Sequence, residues 1–404
     1  MRVAIAAEGT RGDIHPMLSL GQSLERKGHD VVVCAPPNFR ADTESRGLAF
    51  HPVARDTRAY LETEAIALHS GALAMTSAGE RFFLKNLPSQ TRDLAQGARG
   101  ADLVLAAGTQ LAAFSVAESI GADYRMCLYD PGVMRSAEHP PAMLPWPSMP
   151  RWANRLSWYV LLAMMDLRVR PALNRERKYL SLPPVNDLYA CMLGSRPLLA
   201  AEELLAPAPA DVPGVQTIGC LHPFEEGPLP EKLEDFLAAG PPPVYLGFGS
   251  MTDPKPHAST RMILDAIARA GVRAVLSQGW AGLGEAPLPP DVTVVGSVPH
   301  ASLFRRVAAV VHHGGAGTTT MAARAGAPQI VVPHVLDQFH WARRVHMRGL
   351  APPALPRRKL CAENLAEAIR ATVDNELIAE NASAMGHQLR DALSRRGDPA
   401  DVIA

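Results

Sequence analysis

Short, β-branched apolar segments alternate along this chain with glycine-containing turns and helix-like segments, and this alternation limits the folds that the chain can adopt. Between the first two apolar segments, Leu18, Leu20 and Leu24 recur with roughly helical spacing until Gly28, and Pro16 suits the first turn of that helix. Short strands that alternate with helices are typical of a mostly parallel sheet, so we predict an α/β fold. The strand-like segments of this first series lie at 2–7, 30–37, 101–108 and 123–130.

A second series of strand-like segments follows a proline-rich stretch at 206–243. This stretch is the clearest linker signal in the chain. A chain of 404 residues is long enough for two cores, so we predict an N-terminal domain at 1–205 and a C-terminal domain that begins at 244. Ligands of such open sheets bind at the carboxyl ends of the strands, and we expect the site to be shared between the domains.

Composition excludes several classes of function. Forty basic residues balance forty acidic ones, which argues against nucleic acid as the partner. The five cysteines include no C-x-x-C pair, so we expect free buried thiols, a reducing compartment and no metal site. The N-terminus reaches charge and glycine too soon for a signal peptide, and the apolar stretch 156–165 is too short to span a bilayer. We expect a soluble, cytoplasmic protein.

The stretch 131–190 crowds proline, methionine and three of the five tryptophans together. One interpretation is an irregular loop followed by a core helix, since aromatic stripes are usually packing. The functional interpretation is an apolar acceptor pocket that includes Trp146 and Trp158, or a patch that transiently contacts a membrane surface. The sequence leaves both interpretations open.

The glycine-rich segment at 310–320 predicts an anion site. A strand that ends at His313 and a helix that opens with Gly315 and Gly317 bring backbone N–H groups and a positive helix end to one place. Thr318 adds a hydroxyl, and His313 adds a donor or a positive charge. A tight turn before a helix would explain the glycines without any ligand. The segment is neither a Walker A loop nor a clean G-x-G-x-x-G fingerprint.

The segment 312–338, "HHGGAGTTTMAARAGAPQIVVPHVLDQ", resembles the donor-binding signature of the family 1 glycosyltransferases of GT-B fold. That group includes antibiotic aglycone and sterol glycosyltransferases. Further motifs occur in the order and spacing of such enzymes, so the resemblance covers nearly the whole chain. They are "GTRGDIHP", "GFGSM", "RAVLSQGW" and "VPHASLF".

The resemblance implies two Rossmann-like, doubly wound domains that face a central cleft. The N-terminal domain would bind the acceptor, and the domain at 244–380 would bind a nucleotide-sugar as co-substrate, UDP- or dTDP-linked, with no other cofactor. A C-terminal helix at 381–404 would pack back on the first domain.

Site residues follow from the same resemblance. His313 and the amides near Gly315 and Gly317 would hold the diphosphate, assisted by the hydroxyls of Thr318 and Ser250. Trp280 would stack on the nucleobase, and the backbone around Val298 would read its edge. Asp337 and Gln338 would hold sugar hydroxyls, whereas the alternative for Asp337 is an N-cap of the helix that follows.

Glycosyl transfer with inversion needs a base that deprotonates the acceptor hydroxyl. We expect Asp13 to be that base, because the resembling plant enzymes carry a histidine at this place in G-H-x-x-P, whereas this chain reads G-D-I-H-P. Two alternatives are that Asp13 merely caps a helix and that His15, otherwise a residue of the acceptor pocket, takes the proton. No D-x-D triplet occurs, so we expect no metal ion to clamp the diphosphate.

The substrates are less constrained. Retention of Asp337 and Gln338 favours a fully hydroxylated hexose such as glucose, and the alternative is a dTDP-deoxysugar. A sterol or a polyketide would suit the apolar stretch as a hydrophobic small-molecule acceptor. Two competing classes are non-hydrolysing epimerases, which have no use for that stretch, and a non-catalytic auxiliary protein, which would have lost His313 and Asp13.

Overall fold

The computed structural model describes residues 1–63, 72–144, 149–222, 226–284 and 287–403, without the side chains of 72–78 and 80. The chain forms two compact units. The first comprises Met1–Pro141, Trp146–His222 and Gly397–Ala404, and the second comprises Ala142–Pro145 and Pro223–Arg396.

In the described part of the first unit, seven parallel strands form one sheet in the order β3-β2-β1-β4-β5-β6-β7. The strands are β1 (Arg2–Glu8), β2 (Asp30–Ala35), β3 (Ala49–Pro52), β4 (Leu103–Gly108), β5 (Asp123–Leu128), β6 (Leu198–Leu199) and β7 (Gln216–Thr217). The helices of this unit are α1 (Arg11–Arg26), α2 (Arg40–Glu44), α3 (Thr57–Thr63), α4 (Ala72–Gly97), α5 (Ala113–Ile120), α6 (Arg151–Arg168), α7 (Arg170–Tyr179) and α8 (Leu188–Leu193). Short 3-10 turns lie at Pro37–Phe39, Pro131–Val133 and Pro399–Val402.

Strand β1 lies at the centre of this sheet and is buried on both faces. Ile5 and Ala7 pack into one apolar cluster with helix α1, while Ala4 and Ala6 pack into the cluster on the opposite face. The strand order reverses between β1 and β4, the two strands that pair Val3 with Leu103. The carboxyl ends of the strands at such a reversal form the usual ligand-binding crevice of an open α/β sheet.

The first helix begins earlier than the sequence predicts. It starts at Arg11, and its N-cap residue Thr10 accepts a hydrogen bond from the backbone N–H of Gly12. Pro16 therefore lies in the second turn rather than the first, so the prediction that residues 8–15 form a loop is wrong. The predicted end is confirmed, because the helix stops at Arg26 and Gly28 adopts φ +83°.

The described part of the second unit contains one sheet of five parallel strands in the order β10-β9-β8-β11-β12. The strands are β8 (Val244–Gly247), β9 (Ala274–Ser277), β10 (Val292–Val295), β11 (Ala309–His312) and β12 (Gln329–Val331). The helices are α9 (Glu231–Ala238), α10 (Pro256–Ala270), α11 (His300–Phe304), α12 (Ala316–Ala325), α13 (Gln338–Met347), α14 (Ala362–Val373) and α15 (Glu376–Arg395), with a 3-10 turn at Arg357–Lys359.

The boundary between the units differs from the predicted linker at 206–243. Strand β7 belongs to the first sheet and helix α9 packs in the second unit, so most of that stretch is built into one unit or the other. The C-terminal helix also differs from expectation. Helix α15 packs on α12 within the second unit, where Arg390 donates to the carbonyl of Arg324, and the first unit receives residues 397–404 instead of the whole segment 381–404.

In the first unit, residues 397–403 are held by side chains of helix α1 and of its C-cap residue, Lys27. Ser23 donates to the carboxylate of Asp398, and Lys27 pairs with Asp401. Ala400 and Ile403 complete the apolar cluster beneath helix α1. None of the helices in the described ranges is both long and apolar enough to cross a membrane.

Candidate active site

Asp13 lies in the first turn of helix α1, directly after the carboxyl end of β1. Its Oδ2 accepts the backbone N–H of Thr10 at 2.7 Å and lies 3.3 Å from the Thr10 hydroxyl. Asp13 therefore does cap the helix, as one alternative proposed. Both contacts fall on Oδ2, however, and the Oδ1 atom of this partly exposed side chain takes no part in the cap.

Two glycines leave the space that the Asp13 side chain occupies. A Cβ atom on Gly9 (φ +144°) would lie 2.2 Å from Asp13 Oδ2, and one on Gly108 (φ +68°) would lie 1.9 Å from the Glu8 carbonyl oxygen. Tyr129 adds a hydrogen bond of 2.7 Å to the Asp13 carbonyl oxygen. The ends of β1 and β4 are thus shaped to hold one carboxylate at the reversal of strand order.

The environment of Asp13 suits a general base. Burial raises the pKa of Asp13 to about 6, and the hydrogen bonds from Thr10 oppose that shift. Its carboxylate is therefore ionised at neutral pH yet more basic than an ordinary aspartate, since a base works best when its pKa is close to the working pH.

Sequence reasoning missed a second acid at the same place. Glu8 is the last residue of β1, and none of its surface is exposed. Burial raises its pKa to about 8, a hydrogen bond from Asn86 opposes the shift, and the negative charge of Asp13 adds to it. Glu8 is therefore mostly protonated at neutral pH.

Helix α4 covers Glu8 with a polar face. Asn86 donates to Glu8 Oε1 at 3.2 Å, and Gln90, one turn later, donates to the Thr109 carbonyl oxygen at 3.3 Å. Among the described residues, Glu8 Oε2, Gln90 Oε1 and both amide atoms of Gln110 are buried without a hydrogen-bond partner. Buried polar atoms are nearly always paired, so this cluster next to Asp13 is unusual for a purely structural site.

His15 faces helix α2 and not the reversal of strand order. Its Nε2 lies 3.1 Å from Asp42 Oδ2, and its ring contacts Phe39 edge-on. Burial lowers the pKa of His15, with the Asp42 carboxylate opposing the shift. Asp42 would orient this ring if His15 were the base, so the structure gives the alternative base a partner that can be tested.

The structure describes one of the two tryptophans of the predicted acceptor pocket. Trp146 lies outside the described residues. Trp158 is 3% exposed, and its indole N–H donates to the His139 carbonyl oxygen at 3.0 Å. The packing interpretation therefore describes Trp158 better than a pocket wall does.

In the second unit, two adjacent histidines at the end of β11 have separate roles. Buried His312 is structural: its Nδ1 accepts the N–H of Gly314, and its Nε2 donates to Gln329 Oε1 at 2.9 Å. His313 points into the loop, where a Cβ on Gly315 would lie 2.5 Å from its Nε2. Burial lowers the pKa of His313 to about 4, so the ring is neutral at neutral pH and is able to donate a hydrogen bond.

Helix α12 begins directly after these histidines with an open end. Its N-cap residue is Gly315, which has no side chain to bind the first N–H groups. Thr319 is buried and its hydroxyl donates to the Gly315 carbonyl oxygen at 2.9 Å, whereas Thr318 stays partly exposed. The uncapped N–H groups and the positive helix end are the two features on which the predicted anion site depends, and both are present at this place.

The loops that follow β8 and β9 contact one another beside His313. The backbone N–H of Trp280 donates to the Gly249 carbonyl oxygen at 2.9 Å, and a Cβ on Gly249 would lie 3.0 Å from His313 Cε1. Ser250 is the next residue of that loop, and Val298 lies in the loop after β10. All the predicted donor-binding residues therefore follow the carboxyl ends of strands of the second sheet.

The Asp337–Gln338 pair lies at the start of helix α13. Asp337 occupies the N-cap position, but its side chain makes no cap hydrogen bond, so the capping alternative is wrong. Gln338 is buried, and its Oε1 already accepts the N–H groups of His334 and Val335. Leu336, just before the pair, is 48% exposed with φ +53°, a strained conformation of the kind that clusters at functional sites.

Gln338 also links two loops, because its Nε2 donates to Met251 Sδ at 3.4 Å. The five cysteines are free, as the sequence predicts, but Cys191 and Cys361 are only partly buried, so the prediction of buried thiols holds for the other three. Within the described ranges, no three His, Cys, Asp or Glu side chains are grouped so that they could hold a metal ion.

Comparison with known proteins agrees with this geometry. Residues 3–124 match the glycosyltransferase family 28 N-terminal domain, and residues 261–404 match the erythromycin biosynthesis protein CIII-like C-terminal domain. The vancomycin aglycone glucosyltransferase of Amycolatopsis orientalis is 38% identical over 356 residues, with 87% of this chain and 85% of the relative covered. A sterol 3-beta-glucosyltransferase of Arabidopsis thaliana is 32% identical over 400 residues, with 93% of this chain and 64% of the relative covered.

Among solved structures, the glycotransferase of kitacinnamycin matches with a TM-score of 0.73 at 21% identity, covering 100% of this chain and 98% of that one. The glycosyltransferase VinC in complex with DTDP matches with a TM-score of 0.68 at 22% identity, covering 96% and 95%. The two parallel-sheet units therefore have the GT-B fold. The chain belongs to the family 1 GT-B glycosyltransferases of antibiotic aglycone and sterol type, which are nucleotide-sugar-dependent enzymes.

Proposed function

We propose that this enzyme is an inverting O-glycosyltransferase that moves glucose from UDP-glucose to a hydroxyl group of a lipophilic acceptor such as a sterol or a polyketide. The observation that carries the proposal is Asp13, whose carboxylate lies at the reversal of strand order and has an elevated pKa. An acceptor hydroxyl at Oδ1 would lose its proton to Asp13 as its oxygen attacks the anomeric carbon opposite the departing nucleotide. Attack from that side inverts the anomeric centre.

The leaving nucleoside diphosphate gathers negative charge as the bond to the sugar breaks. The open end of helix α12 and the neutral imidazole of His313 would stabilise that charge with hydrogen bonds. We propose that this stabilisation replaces a metal ion. Activity should then survive a chelator, and a requirement for added Mg²⁺ or Mn²⁺ would contradict this part of the mechanism.

Asp337 and the adjacent Gln338 would bind sugar hydroxyls. Gln338 can offer its Nε2 group while its Oε1 holds the loop, because Nε2 contacts only the weakly accepting Met251 sulfur among the described residues. The same observation favours a second candidate, a dTDP-deoxysugar, because a Gln338 engaged in loop structure has fewer groups for hydroxyls. A dTDP-epi-vancosaminyltransferase of Amycolatopsis orientalis is 36% identical over 358 residues.

The experiment that tests the proposal is a thermal-shift comparison of UDP, dTDP, UDP-glucose and NAD, followed by mass spectrometry of reactions with sterols and polyketides. Ligands that bind the native state raise its Tm. Stabilisation by UDP and UDP-glucose supports the first donor, and stabilisation by dTDP alone supports the second. Absence of any nucleotide effect would contradict both. The transient membrane-surface contact that the stretch 131–190 suggests stays a prediction.

A further inference from the structure

Helix α6 carries its apolar side chains on the outside. Six large apolar residues of this one helix are at least half exposed: Trp152 (68%), Leu156 (53%), Tyr159 (73%), Val160 (50%), Met164 (50%) and Leu167 (75%). Their spacing of three and four residues places them on one stripe along the helix. A surface helix normally turns such a stripe toward the core, so the packing interpretation fits only the opposite side of this helix, where Trp158 is buried.

The orientation of the helix is fixed from the opposite side. Asn154 is 1% exposed, and its amide donates to the carbonyl oxygens of Ala137 and Met149. Trp158, one turn later, is bound through its indole N–H to His139. Because these anchors lie about half a turn away from the stripe, the helix cannot bury the stripe by rotating without breaking these bonds.

The charged residues around the stripe are mostly basic. Residues 151–179, which comprise helices α6 and α7, contain seven basic and two acidic residues, although the whole chain is balanced. Among the seven, Arg177 is buried against Glu118, and the exposed Arg151 lies 3.8 Å from Asp211. Arg155 and Arg168 are also exposed on α6. An exposed apolar stripe with aromatic rings and flanking arginines is typical of a helix that lies in the interface of an anionic bilayer.

We propose that the outward stripe of helix α6 docks on the surface of an anionic lipid bilayer. The apolar side chains would enter the headgroup region, Trp152 and Tyr159 would lie at the polar boundary, and the arginines would contact lipid phosphates. A bilayer suits this face better than a second copy of the chain, because two identical basic faces would repel each other. This inference goes beyond the proposed function, since docking does not depend on which sugar is transferred.

Flotation with vesicles tests the inference. The full chain should float with vesicles of phosphatidylcholine that contain about a third phosphatidylglycerol, and binding should be much weaker with phosphatidylcholine alone or in high salt. The double variant L156Q/L167Q should lose about tenfold or more in binding to the mixed vesicles. The matched control is M347Q/L377Q, which replaces two equally exposed apolar residues of the second unit and should float like the wild type.

The inference is overturned if the wild type does not bind the mixed vesicles, or if L156Q/L167Q binds them as well as M347Q/L377Q does. It is also overturned if ultracentrifugation shows a wild-type dimer that L156Q/L167Q abolishes, because the stripe would then join two copies. Each variant is checked for its thermal shift with UDP and dTDP. An unchanged nucleotide response beside lost flotation separates this inference from the proposed donor site.

Discussion

The Oδ2 atom of Asp13 accepts the backbone N–H of Thr10 at 2.7 Å, so one oxygen of this carboxylate caps helix α1 while Oδ1 takes no part in the cap. Capping and base catalysis are therefore not competing roles for this residue. The cap fixes the carboxylate at the end of β1, and a fixed base avoids part of the entropy cost of reaching the reactive geometry.

The variant D13N should separate these two roles. The amide oxygen of asparagine can still accept the Thr10 N–H, so the fold should persist, but the amide cannot take a proton. We expect turnover to fall by about 10²- to 10⁴-fold with little change in the thermal shift by UDP or dTDP. The control is H15Q, which should keep most of the activity. The reverse result, with H15Q inactive and D13N active, would make His15 the base with Asp42 as its orienting partner.

Activity should also depend on pH through Asp13. Because its pKa is about 6, kcat/KM should be level above that value and fall roughly tenfold per pH unit below it. The pH profile of kcat/KM measures this directly. An acid limb near pH 4, where an ordinary aspartate titrates, would show that Asp13 does not have the elevated pKa.

The free energy of unfolding should depend on pH through the titration of Glu8. Its pKa rises from an ordinary 4.5 to about 8 on folding, so between these values the unfolded chain ionises while the folded chain keeps the proton. The contribution of Glu8 to the free energy of unfolding is fully present below pH 4.5. It falls by about 1.4 kcal/mol for each pH unit as the pH rises toward 8.

The variant E8Q removes that titration and can still accept a hydrogen bond from Asn86. We expect the Tm of E8Q relative to wild type to increase as pH rises from 5 to about 8. A Tm difference that stays constant over this range would mean that Glu8 is ionised in the folded enzyme at neutral pH.

Two adjacent threonines at the start of helix α12 allow the proposed anion site to be tested by substitution. T318V removes a partly exposed hydroxyl and should weaken UDP or dTDP binding about fivefold, which is the net worth of one hydrogen bond of about 1 kcal/mol. T319V removes a buried hydroxyl that bonds Gly315, so it should lower Tm more than it changes nucleotide affinity. Calorimetric titration and thermal unfolding of both variants measure the difference, and equal affinities for T318V and wild type would remove Thr318 from the site.

Two glycines with the same backbone conformation allow a test of how closely the ends of β1 and β4 approach each other beside Asp13. Gly108 and Gly121 have φ +68° and +70°, but a Cβ on Gly121 meets nothing within 4 Å whereas one on Gly108 would lie 1.9 Å from the Glu8 carbonyl oxygen. G121A should cost about 1 kcal/mol for the left-handed conformation alone. G108A should cost clearly more and should also impair turnover by displacing the end of β1. Equal losses of Tm would contradict the crowding at Gly108.

The sequence predicts the strands better than it predicts the polar site. The sequence predicts strands β1, β2 and β11 because burial on both faces leaves a continuous apolar signal, whereas β6 and β7 have two residues each and carry no such signal. The helix start was misplaced because Pro16 suggested a first turn, while Thr10 and Asp13 supply the stronger cap. The Glu8 site was missed because Asn86 lies 78 residues away and only the fold brings it to β1.

The sequence motifs locate the loops at the carboxyl ends of the second sheet, but they do not predict the contacts of particular side chains. The pair His312 and His313 reads as two equal histidines in sequence, and only the Gln329 contact shows that the first is structural. Likewise, the engaged Oε1 of Gln338 depends on loop geometry that no local pattern encodes. Hydrogen bonds of this kind depend on tertiary contacts, so the spacing of residues in the sequence does not predict them.

The return of residues 397–404 to the first unit has a consequence for how the chain folds during its synthesis. Ala400 and Ile403 belong to the apolar cluster under helix α1, yet the ribosome makes the whole segment 223–396 before it reaches them. At 5–20 residues per second, the first unit waits roughly 10 to 35 seconds with that cluster incomplete. Nascent chains truncated before residue 397 should therefore display a protease-sensitive helix α1, and this interval is when a chaperone would have most to protect.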